Sequence, residues 1–427
     1  MKGEPDSAPL SAIAKIRSGG TPSKRKPEYW GGDIPWVSAK DMKHGFIYDA
    51  EDHLTEVGAK NGTKVADVDE ILILVRGMTL HHDVPTCRVK KASAFNQDVK
   101  AIAATDIDPG YLYYALRGAR DELLRRVESA GHGTGRIPGD HLATLPIPRF
   151  ETKEESSIAS LLGALDDKIE LNRRMSATLE EMARALYRSW FVDFDPVHAR
   201  ALGQPPAHMD ATTAALFPDS FGPDGLPKGW EWRSLDDIAD FLNGAALQKF
   251  PPENGADSLP VIKIAELRSG ITSKSGRAGL QVPEKYKISD GDVLFSWSGS
   301  LLQKVWTEGP GALNQHLFKV SSEIVPKWFH FFAVDQHMEE FRQVAASKAT
   351  TMGHIQRHHL KEAMIAMPED DEVIAAAGKL IAPAFDRAIA TDLESQTLAA
   401  LRDALLPRLM SGELRIREAE KQVEEVV

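Results

Sequence analysis

A chain of 427 residues, 42% hydrophobic and 26% charged, exceeds one ordinary domain and is apolar enough for real cores, so two to four domains are expected. One cysteine, Cys87, excludes an internal disulfide and a zinc site built on cysteines, and no apolar run is long enough to span a membrane. The net charge of −11 argues against a chain that neutralises duplex DNA unaided, yet residues 1–150 carry 21 basic and 20 acidic side chains and residues 226–368 carry 16 of each, which leaves the acidity on the connecting segments.

The opening residues, Met1 to Asp6, lack the apolar core of a secretory signal, and the simple reading is a reducing, cytoplasmic home. The first globular segment, 1–152, begins with a loop, Gly19-Gly20-Thr21-Pro22-Ser23-Lys24-Arg25-Lys26, that gathers backbone N–H groups, hydroxyls and three cations. That combination suits phosphate, although by composition alone it is equally a solvated turn. The apolar run Ile71 to Val75 predicts a buried strand, with Arg76 at its exit, and arginine is the commonest reader of guanine. Phe95-Asn96-Gln97 follows. Tyr111 to Ser129 reads as helical, and Thr134 and Arg136 form a polar patch before the next element.

Residues 153–194 predict a long helix, because Ile158, Leu162, Leu165, Ile169, Met175, Leu179, Met182 and Leu186 recur at steps of three and four. So narrow a stripe over such a length asks for a partner helix, and Asn172 on the stripe is a polar interruption suited to fixing register. Trp190, Phe191 and Phe194 close this helix as packing or subunit-contact residues rather than as stackers on bases, and subunit docking is the role assigned to them. A connector rich in Pro, Gly and Ala spans 195–228.

The second globular segment, 229–369, repeats the first. Val293 to Gly299 matches Ile71 to Gly77, Leu313-Asn314-Gln315 matches Phe95-Asn96-Gln97, and Ile355 and Leu360 stand where Ile137 and Leu142 do. Ser296 and Ser298 take the place around Arg76, while Thr350, Thr351, His354 and Arg357 repeat the polar patch. Asn96 and Asn314, which recur at the same place in both halves, are better explained as turn residues than as contacts to adenine edges. A second long helix, 370–412, carries Ile374, Ile381, Phe385, Ile389, Leu393, Leu398, Leu401, Leu405 and Leu409; Pro383 should kink it. A charged tail, 413–427, ends the chain. The fold class is therefore α+β, two mixed α/β domains of mainly antiparallel sheet and two long helices that pair as an antiparallel coiled coil.

Catalytic signatures are missing. There is no glycine-rich cofactor loop, no Asn/Asp-Pro-Pro-aromatic motif, no Walker loop and no nuclease-like acidic cluster. His81-His82-Asp83 and His358-His359 lack a third ligand at metal spacing. Neither a metal nor a cofactor is expected; these absences argue against a methyltransferase or nuclease that carries its own recognition domain, and the second alternative is a coiled-coil scaffold whose globular ends bind protein.

Several motifs resemble those of the specificity (S) subunits of type I restriction-modification enzymes. Gly19 to Ser23 followed by Tyr29 to Val37, Gly291 to Gly299, both Asn-Gln pairs, Gly133 to Ile137 with Leu145-Pro146-Ile147-Pro148, Leu162 to Asn172 and Trp190 to Phe194 stand in the family's order, over roughly residues 10–415. The chain departs from the pattern in two places. The first half lacks the lead-in seen at Leu226-Pro227-Lys228-Gly229-Trp230, and the second replaces Gly-Gly-Thr-Pro by Asn243-Gly244-Ala245-Ala246. The resemblance implies two target-recognition domains related by a pseudo-twofold axis and separated by the paired helices. It implies that each domain reads one half of a split, asymmetric target in double-stranded DNA, without catalysis. It implies further that the helices set the spacing and dock two methyltransferase subunits, that restriction subunits join, and that no membrane is involved. The DNA-contacting set it implies is Gly20, Thr21, Ser23, Lys24, Arg25, Arg76, Thr134, Arg136, Ser296, Ser298, Thr350, Thr351, His354 and Arg357.

Overall fold

The computed structural model describes residues 5–131, 133–253, 257–347 and 353–426, so Thr350 and Thr351 lie outside the described residues. The chain divides into two compact units: Met1–Lys168 with Leu398–Val427, and Ile169–Thr397. Each unit holds one globular half together with stretches of both long helices.

In the first unit a five-stranded sheet runs in the order Ala14–Ser18, Val99–Ala104, Ile71–Leu74, Thr86–Val89, Phe46–Ile47. Ile71–Leu74 takes the middle because all four residues are apolar and buried, whereas Ala14–Ser18 buries only Ala14 and forms an edge. A four-stranded sheet follows the order Asp52–Leu54, Trp30–Val37, Ser93–Phe95, Val65–Ala66, with its central pair parallel. Asp6–Pro9 pairs with Pro146–Arg149 and so ties the start of the globular half to its end. The helix Pro109–Gly118 starts where Asp108 accepts a hydrogen bond from the Tyr111 amide at 2.9 Å, and it buries Tyr111, Tyr113 and Tyr114.

The second unit repeats this order strand for strand. One sheet runs Asp240–Asn243, Leu317–Ser321, Val293–Ser296, Gln303–Val305. The other runs Arg277–Gly279, Ser258–Ile262, Gly311–Leu313, Lys287–Ile288, again with a parallel central pair, and Trp230–Ser234 pairs with Met364–Pro368. Among the described residues, the first unit has two elements without a counterpart strand in the second: Phe46–Ile47, and the hairpin Glu128–Ala130/Thr134–Arg136, which pairs with Arg76–Gly77. Two glycines hold equivalent positions. A Cβ on Gly19 would meet the Phe95 carbonyl oxygen at 2.2 Å, and one on Gly244 the Asn314 carbonyl oxygen at 2.2 Å, so in both halves the chain passes too close to its neighbour for any side chain.

The long helices are Thr152–Phe191 and Asp371–Met410, 40 residues each, or about 60 Å at the helical rise. Pro383 does not end the second, which continues through it. Within each unit the two run antiparallel. In the first, Asp166 meets Arg402; in the second, Asn172 Nδ2 donates to Glu394 Oε2 at 3.0 Å and the Ser176 hydroxyl to the Ala388 carbonyl at 3.4 Å. Asn172 is fully buried, so the polar interruption of the stripe is a register-specific pairing in the interior. No described helix is long and apolar enough to cross a membrane.

Candidate nucleic-acid interface

The loop at 19–26 is fastened at its base and open at its tip. Gly20 N donates to the Phe95 carbonyl at 3.0 Å and to Thr63 Oγ1 at 3.2 Å, while Trp36 Nε1 donates to the Gly20 carbonyl at 3.0 Å. Beyond it Thr21, Ser23, Lys24, Arg25 and Lys26 are exposed. The ammonium of Lys24 lies 5.8 Å from the Trp30 ring centre, and that of Lys26 lies 4.9 Å from the Tyr29 ring with its Nζ 3.1 Å from the hydroxyl. That hydrogen bond raises the Lys26 pKa above the ordinary lysine value, so the cation stays charged.

Thr21 donates from its hydroxyl to Gln97 Oε1 at 2.6 Å, which joins the loop to the next element. Gln97 in turn shares a shallow cavity of about 450 Å³ with Arg76, Gly77, Ala130 and Thr134. Arg76 and Arg136 stand directly opposite each other across antiparallel strands, both exposed. Lys100 and Ser18 form a second cross-strand pair, with Lys100 Nζ donating to the Ser18 hydroxyl at 2.5 Å. The candidates Gly20, Thr21, Arg76, Thr134 and Arg136 are thus gathered on connected elements of one unit. Thr134 spends its hydroxyl on the Ala130 carbonyl at 2.5 Å, which shapes the hairpin rather than leaving a free donor.

The second unit fills the same places with other chemistry. Ser298 bridges His354 as Arg76 bridges Arg136, and its hydroxyl lies 3.2 Å from His316 Nδ1. Trp297 stacks obliquely on His316 and Phe318 and donates to Asn243 Oδ1 at 3.0 Å. Arg357 is exposed and 3.4 Å from Asp236. Ser296 is fully buried, donating to the Ser300 carbonyl at 2.7 Å and accepting from the Leu302 amide at 2.9 Å, and therefore shapes a turn instead of facing a ligand. Asn96 and Asn314 accept from the amides of Asp98 (3.0 Å) and His316 (3.3 Å), the geometry of Asx turns.

Three further expectations need comment. Trp190 and Phe191 are 4% and 2% exposed in the core of the second unit, against Phe217, Trp230, Trp328 and Phe329, with Phe194 partly buried beside Trp230 and Phe221. Their surface is consumed by packing, so of the two roles read from the sequence this unit uses them for packing. His81 lies 2.8 Å from the Gly133 carbonyl and Asp83 pairs with Arg120 at 2.7 Å, which occupies both away from any metal. His358 and His359 do gain a third donor, Glu362 one turn on, with ligand atoms within 4.8 Å of one another. His359 Nδ1, however, already accepts from the Gln356 amide at 2.9 Å as part of the helix cap. Sequence reading passed over Ser18, Lys100, Trp297 and His316; in the first unit strand register brings Lys100 to Ser18 at the start of the loop, and in the second the fold brings Trp297 to Asn243 and His316.

The duplicated topology coincides with a family assignment. The family described as "Type I restriction modification DNA specificity domain" matches residues 6–181 and again 227–403. The chain belongs to this family. It carries two specificity domains, and one of its curated relatives aligns over nearly its whole length. The MjaIX specificity subunit of Methanocaldococcus jannaschii is 26% identical over 425 residues, 96% of this chain and 93% of that one. The HindI specificity subunit of Haemophilus influenzae is 25% identical over 356 residues, 72% of this chain and 77% of that one. The crystal structure of a type I restriction-modification S subunit from M. genitalium superposes with a TM-score of 0.52 at 15% identity, covering 94% and 95% of the two chains, and shares the fold. In the specificity domains of this chain, then, the scaffold is repeated and the exposed positions are not.

Proposed function

We propose that this chain is the DNA sequence-reading subunit of a type I restriction-modification complex and has no catalytic site of its own. The observation that carries the reading is the doubled specificity domain, in which one strand topology presents different side chains at the same register positions. Two unlike readers in one chain recognise a split, non-palindromic target in double-stranded DNA, one half each. Gly20, Thr21, Ser23, Lys24, Arg25, Arg76 and Arg136 serve one half; Ser298, His354 and Arg357 serve the other, and Thr350 and Thr351 are assigned there by their place in the sequence. Ser296 is left out because its hydroxyl is bound on both sides by the backbone of its own turn, at Ser300 and Leu302, whereas Ser298, though also buried, meets the side chain of His316.

The recognition domains are assigned to 1–152 and 229–369, the helices to 153–194 and 370–412, the connector to 195–228 and the tail to 413–427. The paired helices set the spacing between half-sites and hold two methyltransferase subunits, with restriction subunits completing the nuclease. Leu171, Met182 and Leu380 support the docking role, since they are 58%, 54% and 47% exposed on those helices. A cytoplasmic location follows from that assembly acting on DNA.

The test is co-expression with the methyltransferase subunit and mapping of methylated bases in the host DNA. One split, asymmetric motif present only with this chain is expected, and exchanging residues 1–150 for those of a relative should change one half alone. An intact complex with no chain-dependent motif would overturn the assignment in favour of a protein-binding scaffold.

A further inference from the structure

We infer that Arg76 and Arg136 act as a paired reader of guanine in the half-site of the first unit, and that the second unit has no equivalent reader because Ser298 and His354 occupy those positions. This rests on the proposed function and names the base chemistry of one of its two sites. The two arginines lie far apart in sequence but face each other directly in the register of Arg76–Gly77 against Thr134–Arg136. Opposed residues of an antiparallel pair project from the same face with Cβ atoms about 5 Å apart. Two like charges in that arrangement repel, and a fold has no reason to set them there unless an acceptor comes between them.

Their surroundings leave them free for one. Among the described residues neither guanidinium has an ion-pair or hydrogen-bond partner. Glu128 stands across the other side of Arg136, but its carboxylate lies 3.9 Å from His141. The backbone beneath is held firmly. Ile137 N donates to the Val75 carbonyl at 2.9 Å, Val75 N to the Asp98 carbonyl at 2.8 Å, and a Cβ on Gly135 would strike Leu80 at 2.9 Å. Arginine matches the O6 and N7 acceptors of guanine with two donors at once, and the adjoining Gln97 and the Ser18–Lys100 pair add donors for a neighbouring base edge and a phosphate. At the equivalent register the second unit offers a buried hydroxyl and an imidazole beside Trp297, with Phe318 opposite Asn243 where Lys100 is opposite Ser18. Nothing there is a forked donor.

The test uses the full complex and a duplex carrying its mapped motif, with 7-deazaguanine replacing each guanine of the first unit's half-site in turn. Removing N7 keeps base pairing but deletes one acceptor. At one position the substitution should weaken binding by about tenfold or more. Arg76→Ala or Arg136→Ala should cost a similar factor, and on that variant the modified base should cost nothing further. Arg76→Lys, which keeps the charge, should preserve the salt dependence yet lose discrimination at that base. The inference fails if the half-site contains no guanine, if the losses add independently in both variants, or if the variants weaken all sequences alike, as phosphate contacts would. In each of those cases the motif itself still depends on the chain, whereas a missing motif would sink the proposed function first.

Discussion

His330 shows how a single side chain outside the interface controls stability. It is 3% exposed on the helix Lys327–Asp335, and its Nδ1 has no hydrogen-bond partner among the described residues. Burial disfavours the imidazolium, and nearby Lys327 adds to the effect, so the pKa falls from 6.5 to about 4. The sign follows from the unfolded chain, where the ring titrates normally. Above about pH 6.5 the ring is neutral in both states and contributes no pH dependence; below it, the unfolded state takes up the proton first and stability falls toward pH 4. Urea unfolding followed by tryptophan fluorescence should show a loss of about 2 kcal/mol from this group between pH 7 and pH 5. His330→Leu should remove that part of the loss, and an unchanged pH dependence in the variant would assign it to other groups. Cys87 is the opposite case: burial lifts its thiol to about 12, so the one cysteine is an inert core residue.

Among the elements, the long helices are held to their partners by polar contacts placed at chosen points. Asp166 is 5% exposed and receives the Tyr114 hydroxyl at 2.8 Å, Arg117 at 3.2 Å and Arg402 from the opposing helix. Burial disfavours the charged guanidinium of Arg117, but the Tyr113 hydroxyl and the Asp166 and Asp403 carboxylates outweigh it and raise its pKa above the ordinary value, so it stays charged. Removing the acid strands two guanidiniums in a partly dry site, although Asp403 remains 2.8 Å from Arg402. Asp166→Ala should therefore cost about 3 kcal/mol in denaturant unfolding, near the low end for a broken buried pair. The double variant Asp166→Leu, Arg402→Met should recover most of it, because apolar replacement of a whole pair costs little. If the double variant is as unstable as the single one, the site is needed for packing rather than charge. The second unit spends less on this scheme, with Arg184 bridging Glu180 and Asp335 at 2.6 Å each and Asn172 meeting Glu394.

For the whole molecule the charge distribution sets the terms of DNA binding. The chain carries −11 overall, and its globular halves are close to neutral. A near-neutral reader displaces few counterions, so the isolated chain should show a shallow slope of log affinity against log salt. With the methyltransferase subunits bound the slope should steepen, measured by fluorescence anisotropy on one duplex over a salt series. Equal slopes would mean that this chain supplies the phosphate contacts unaided.

Much of this organisation is written locally and is legible without coordinates. Repeated motifs such as Phe95-Asn96-Gln97 and Leu313-Asn314-Gln315 announce a duplicated domain, since the same turn needs the same short polar residue after the same buried strand. The three-and-four spacing from Ile158 to Leu186 announces a long paired helix, because only a partner can cover so narrow a stripe. These features depend on residues a few positions apart, and the sequence by itself determined them. It could not place Arg76 opposite Arg136, because cross-strand register is set by which edges pair and not by anything near either residue. It offered Ser296 and Ser298 alike as contacts, because hydroxyls at a strand end look the same until the fold binds Ser296 to the Ser300 and Leu302 backbone and sets Ser298 beside His316. It assigned Trp190 and Phe191 to docking although an aromatic cluster at a helix end serves packing equally, and both are buried in the core of the second unit. Only the tertiary structure decided these points, by bringing distant segments together and leaving some donors satisfied inside and others free on the surface.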